Sequence, residues 1–158
     1  ADKTMRAMMR KMKRFKVASS VQALVRSNWQ GVLNLMGRCE DVLKLNGEAM
    51  NEDEIFRKIS PVSETTLKVM QFELACHFRA LNRARQLMEE IETTKHRNAL
   101  ISQTIVAYNL WAGLTRLDLA RQGRRRRANL RLARINKKFL EKAVRNGCTD
   151  ARPFLVHS

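Results

Sequence analysis

Turn-forming residues are scarce in this chain, with six glycines and two prolines among 158 positions. Sandwiches and barrels need frequent tight turns, so this shortage argues against them and for long helices. Acidic side chains are also in deficit: 15 Asp and Glu stand against 31 Lys and Arg, a formal net charge of +16. Such an excess opposes compaction and attracts anionic surfaces. The three cysteines, Cys39, Cys76 and Cys148, are odd in number and widely spaced. They argue against a secreted disulfide framework and predict a reducing intracellular compartment, the cytoplasm or the mitochondrial matrix. The longest uncharged stretch, residues 98–115, carries Asn98, Ser102, Gln103, Thr104, Asn109 and Thr115. Six polar side chains in eighteen are too many for a lone helix in hydrocarbon.

Catalytic signatures are missing as well. There is no CxxC, HExxH, phosphate loop or nucleophile elbow. Glu73 and His77 are four residues apart, whereas the Glu-x-x-His motif of di-iron bundles needs three. The thiols of Cys39, Cys76 and Cys148 and the imidazoles of His77, His96 and His157 show no zinc-ligand spacing. The sequence therefore predicts no enzyme, no cofactor and no metal.

What is present is apolar periodicity and unevenly placed charge. Apolar residues make up 44%, enough for a real core. Residues 1–46 carry 10 basic and 3 acidic side chains, residues 47–94 carry 6 and 9, and residues 95–158 carry 15 and 3. Both ends are cationic and the middle is mildly acidic.

Residues 3–17 set Met5, Met8, Met9, Met12 and Phe15 at helical spacing among seven Lys and Arg. Such a segment has the character of an organelle transit peptide, or of a basic arm of the mature protein. From Val21 through Trp29, Leu33 and Cys39 to Leu43, steps of three and four predict a helix stopped at Asn46-Gly47. Residues 47–61 read as an acidic connector with a short turn at Ile55-Phe56. Ser63 reads as the N-cap of a helix reaching about 93, and a further helix covers about 96–121. Both are apolar on two faces, the pattern of helices sandwiched between neighbours. The last helix covers about 124–145 and stops at Asn146-Gly147.

The expected fold is all-α: an antiparallel bundle of four main helices plus a basic amphipathic N-terminal helix. Residues 1–20 form the arm, 21–147 the bundle, and 148–158 a short tail.

The last helix holds the most informative chemistry. At 100° per residue, Arg127, Arg131, Arg134, Lys138, Lys142 and Arg145 share a stripe about 80° wide. They span roughly 27 Å at a rise of 1.5 Å per residue. Ala128, Leu132, Ile135, Phe139 and Ala143 form a neighbouring stripe centred about 100° away, which predicts one face on the bundle and another presented as a cationic rail. Arg124, Arg125, Arg126 and Arg127 cover every side of the first turn. They also sit at the positive end of the helix dipole, where a bound anion would relieve their repulsion. Arginine forks make bidentate phosphate contacts and stack on bases.

These features predict contact with a polyanion, RNA ahead of DNA, through Arg124, Arg125, Arg126, Arg127, Arg131, Arg134, Lys138, Lys142 and Arg145. Trp29, Tyr108 and Trp111 lie on apolar helices and read as core, so base-specific reading has no support here. The arm, through Arg10, Lys11, Lys13 and Arg14, is open to a second RNA contact, an anionic membrane surface or a partner groove. Equally, its methionines suit docking on the protein's own bundle.

The function expected is a structural RNA-binding subunit of a ribonucleoprotein particle, ribosomal or organellar-ribosomal, among neighbouring proteins of a larger assembly. An accessory helical subunit of a membrane-associated complex, or a viral or phage nucleocapsid or matrix-type protein, would use the same faces differently.

Overall fold

The computed structural model describes residues 2–57, 59–96, 100 and 102–148. The predicted tail, apart from Cys148, lies outside the described residues, as does His157. Among those residues all regular structure is helical: α1 (Asp2–Arg14), α2 (Ser19–Leu35), α3 (Glu52–Phe56), α4 (Pro61–His77), α5 (Leu81–Thr93), α6 (Ser102–Arg121) and α7 (Arg126–Arg145).

One terminator recurs along the chain. In α1, α2, α4, α6 and α7 an N–H beyond the last turn bonds five residues back: Val17 to Met12, Arg38 to Leu33, Ala80 to Ala75, Arg124 to Leu119 and Cys148 to Ala143, at 2.8–3.0 Å. This Schellman closure needs one left-handed residue. Gly37, Gly123 and Gly147 supply it without a Cβ penalty, whereas Lys16 (φ 49) and Arg79 (φ 54) supply it with a full side chain.

Two expected boundaries move as a result. The helix predicted over 63–93 is two helices, α4 and α5, reversed at 78–80 around Arg79. The helix predicted to reach residue 46 ends at Leu35, and residues 36–51 form a loop. Ser60, rather than Ser63, caps α4: its Oγ accepts from the Ser63 N–H at 3.3 Å, with Pro61 in the first turn.

α4 is the centre of the molecule, packing against α2, α5 and α6, while α7 lies along α6 and α1 rests on α2. The main core joins α4, α5 and α6 through Phe72, Leu87, Ile91, Tyr108 and Ala112. Each large apolar side chain buried there contributes about 1.5–3 kcal/mol. The Phe72 and Tyr108 rings meet tilted at a centroid distance of 5.9 Å.

Polar side chains set the register of this packing in two places. Gln30 and Asn34, both fully buried on α2, hold the 36–51 loop. Asn34 Nδ2 donates to the carbonyls of Val42 (3.1 Å) and Lys44 (2.6 Å), and Gln30 Oε1 accepts from the Ala49 N–H at 2.9 Å. Glu52 Oε2 accepts from the Leu45 N–H and from Gln71 on α4. The acidic connector residue Glu52 is thus a buried keystone.

The second place joins α5, α6 and α7. Arg116, 5% exposed, pairs with Glu92 and donates to Asn136, whose Nδ2 donates to Asn109 Oδ1 at 2.9 Å. Tyr108 adds an O–H bond to Glu92 at 3.0 Å.

No helix among the described residues is long and apolar enough to cross a membrane. Most of the uncharged 98–115 stretch lies in α6, with Tyr108, Asn109, Ala112 and Thr115 buried in the protein.

Candidate polyanion-binding surface

α7 docks on α6 through Ala133, Asn136 and Leu140. Contacts run from the groove shared by Leu117 and Leu130 near the reversal to the cluster of Val106, Leu110, Leu140, Ala143 and Val144 at the far end. Two helices lying side by side over this length differ from the crossed pair of a helix-turn-helix.

This docking corrects the predicted packing stripe. Ala143 and Leu132 are half-buried, but Ala128 is exposed, Ile135 is 56% exposed and Phe139 37%. The reason is polar. Asn136 must reach Asn109 and Arg116, and turning the helix to bury Ile135 and Phe139 would strand those groups.

The rotation leaves Arg127, Arg131, Arg134, Lys138, Lys142 and Arg145 opposite the buried face, about 180° round the helix. All six are exposed, as are Arg124, Arg125 and Arg126. Among the described residues none of these nine side chains makes an ion pair with an Asp or Glu. Arg145 donates only to the Glu141 carbonyl at 3.4 Å. Arg125 takes left-handed dihedrals (φ 42, ψ 46) immediately before α7, so the four-arginine turn carries backbone strain as well as charge repulsion.

The reversals at 78–80 and 122–125 fall at the same end of the molecule. One cleft of about 620 Å³ is lined from both sides, by Arg79 and Leu81 of the first and by Arg121 and Gln122 at the second. Arg121 also borders a depression that Arg126 lines. Arg79 and Arg121 therefore extend the arginine turn into a cationic pole from which the α7 rail leads away. Neither position stands out in the sequence: Arg79 falls inside the helix expected to reach about 93, and Arg121 is the last residue of the one expected over about 96–121. Arg116, by contrast, is buried with Glu92 and takes no part in this surface.

α1 lies on the bundle. Met9 and Met12 are buried beside Trp29, Leu33 and Ala49. The Arg6 guanidinium sits 5.8 Å from the Trp29 ring centroid and pairs with Glu48, which Arg38 also engages at 2.8 Å. Met5, Met9 and Met12 of the arm are thereby docked, whereas Met8 and Phe15 stay exposed, as do Arg10, Lys11, Lys13 and Arg14.

The cysteines and histidines are scattered. Among the described residues no three metal-ligating side chains come together. Cys76 Sγ lies 3.4 Å from Thr115 Oγ1, and burial pushes its thiol up to about 11. Burial raises Cys39 too, helped by Asp41. His77 packs edge-on against Trp111 at 4.6 Å.

Comparison of the chain with protein-family models, with curated proteins and with solved structures returns no match.

Proposed function

We propose that this protein is a structural RNA-binding subunit of a ribonucleoprotein particle, with a ribosome, cytoplasmic or mitochondrial, as the natural setting. One observation carries the reading: a row of six exposed cations on α7 opposite its buried face, running out of a turn of consecutive arginines. A solvated structural helix gains nothing from such a row. Like charges at i, i+4 destabilise it, and the arginines of its first turn oppose its dipole. A polyanion laid along the rail removes both penalties. The exposed cations of α1 supply a second contact, while Met9 and Met12 hold the arm to the bundle. The bundle gives shape and surfaces for neighbouring proteins and supplies no reaction chemistry.

RNA is favoured over duplex DNA because α6 and α7 lie side by side, and because a helix beginning with four arginines suits phosphates better than base edges. A second reading, an accessory subunit at an anionic membrane surface, draws on Ile135 and Phe139. Their exposed strip beside the cations gives α7 an amphipathic outer side.

The test is binding of labelled RNA, duplex DNA and anionic vesicles across a salt series, with a variant carrying Gln at 124, 125, 126 and 127. The expected result is steep salt dependence on RNA, with the slope of log K against log salt reduced by about 3 in the variant. Indifference to RNA at low salt, with tight vesicle binding, would move the membrane reading to first place.

A further inference from the structure

The cleft at the cationic pole has a mixed lining that the rail lacks. Its walls are apolar (Leu81, Leu114, Leu117 and the half-buried Trp111), and Arg79 and Arg121, from two different chain reversals, both border it. Its volume of about 620 Å³ lies within the range of small-molecule sites. Among the described residues Asp118 is the only acid in the lining. Its carboxylate is exposed and held by Arg121 at 3.3 Å, with its remaining acceptor positions open to a ligand.

This charge arrangement selects the occupant. A bare phosphate or carboxylate would engage Arg79 and Arg121 alone, leaving the open acceptor positions of Asp118 and the apolar walls without a partner. A neutral planar ring bearing an amino group would instead donate to that carboxylate and cover the apolar walls. Its attached phosphates would stay outside, at Arg79 and Arg121. The sulfur in the wall, Cys76, is held as a neutral thiol by burial and does not oppose such a ring.

Resting on the RNA reading above, we propose that the cleft receives one unpaired nucleotide base, and an amino-bearing base (adenine, cytosine or guanine) in preference to uracil. Unstacked bases in loops and bulges are the usual objects of sequence-sensitive RNA recognition, held by aromatic rings, arginine planes and base-edge hydrogen bonds. Asp and Glu accept from the amino groups of bases; uracil has no amino group, and its one base-edge donor, the ring N3–H, lies between two carbonyl oxygens that repel a carboxylate. The rail and the cleft then divide the labour: the rail neutralises backbone phosphates, and the cleft fixes where on the RNA the protein stops. The left-handed Arg79 fits this division, since a glycine there would relax the turn but remove the charge beside the cleft.

The experiment uses the full chain and a set of RNA hairpins identical except for one bulged nucleotide (A, C, G or U) or none, at a salt concentration where all bind. A further hairpin carries 2-aminopurine at the bulge as a fluorescent reporter. The expected result is about tenfold tighter binding of the A, C and G bulges than of the paired hairpin. The U bulge falls several-fold below them, and 2-aminopurine emission changes on binding. Asp118→Ala should abolish the difference between uracil and the other bases while the paired hairpin still binds. Equal affinity for bulged and paired hairpins, with unchanged emission, overturns the inference and leaves the RNA-binding proposal standing. Failure to bind any hairpin at low salt overturns both.

Discussion

A Cβ placed on Gly47 would lie 2.7 Å from the side-chain nitrogen of Gln30. Gln30 has no freedom to retreat, because it is fully buried and its amide is bonded to Asn34 and to the Ala49 N–H. Gly47→Ala should therefore destabilise the protein by about 1–3 kcal/mol, the range for overpacking. Gln30→Ala should cost a similar amount by leaving the Ala49 N–H and the Asn34 carbonyl oxygen without that partner. Urea titration reads both. A change within about 0.5 kcal/mol for either would show that the 36–51 loop does not depend on this contact.

The three-helix polar junction makes a second prediction. Arg116→Met keeps the bulk of the side chain but removes the charge that faces Glu92 and Asn136. Breaking a buried pair from one side costs about 3–5 kcal/mol. Glu92 is 28% exposed and recovers some hydration, which places the expected loss near the lower end. Arg116→Met with Glu92→Leu should recover a good part of it. Thermal unfolding of the single and double variants measures this, and full additivity would mean that the two groups do not interact.

The seating of α7 is tested by contrast. Leu140→Ala empties a buried position against Val106 and should cost about 2–4 kcal/mol. Ile135→Ala, at a site more than half exposed, should stay within about 1 kcal/mol. The reverse order would mean that α7 sits on the face its aliphatic pattern first suggests.

A fourth prediction concerns Cys76. In a Cys39→Ser, Cys148→Ser background its alkylation at pH 8 should run about a hundredfold slower than that of an ordinary thiol, because only the thiolate reacts and burial has moved its pKa to about 11. The folded state holds the proton more tightly than the unfolded state, so this contribution is intact below pH 9 and is lost as pH rises towards 11. Fast alkylation at pH 8 in the folded protein would contradict the burial that raises it.

Much of the fold was legible where the chain uses residues that act locally. The start of α4 was legible to within three residues, at Ser63 in place of Ser60, and Gly147 marked the end of α7. The reversal at 78–80 was hidden because its left-handed position is filled by Arg79, while apolar residues continue at helical spacing on both sides. The early end of α2 was hidden for a related reason. Cys39, Val42 and Leu43 keep the helical period, but Asn34 and Gln30 capture the backbone that follows them. The cations of α7 could be placed on one face from their spacing alone. The orientation of that face depends on Asn136 meeting Asn109 and Arg116, a relation between distant positions that no local pattern encodes.

Asn136 also acts as an index pin. Two smooth apolar helices can slide past one another by a turn, about 5.4 Å, with little change in buried area. Here such a slip would withdraw Asn136 from both partners at a buried position, at about 1–3 kcal/mol for each group left unpaired. α7 therefore has one longitudinal setting against α6. The distance from the first rail cation to the mouth of the cleft becomes a fixed length of the molecule, like the gap between two marks on a ruler.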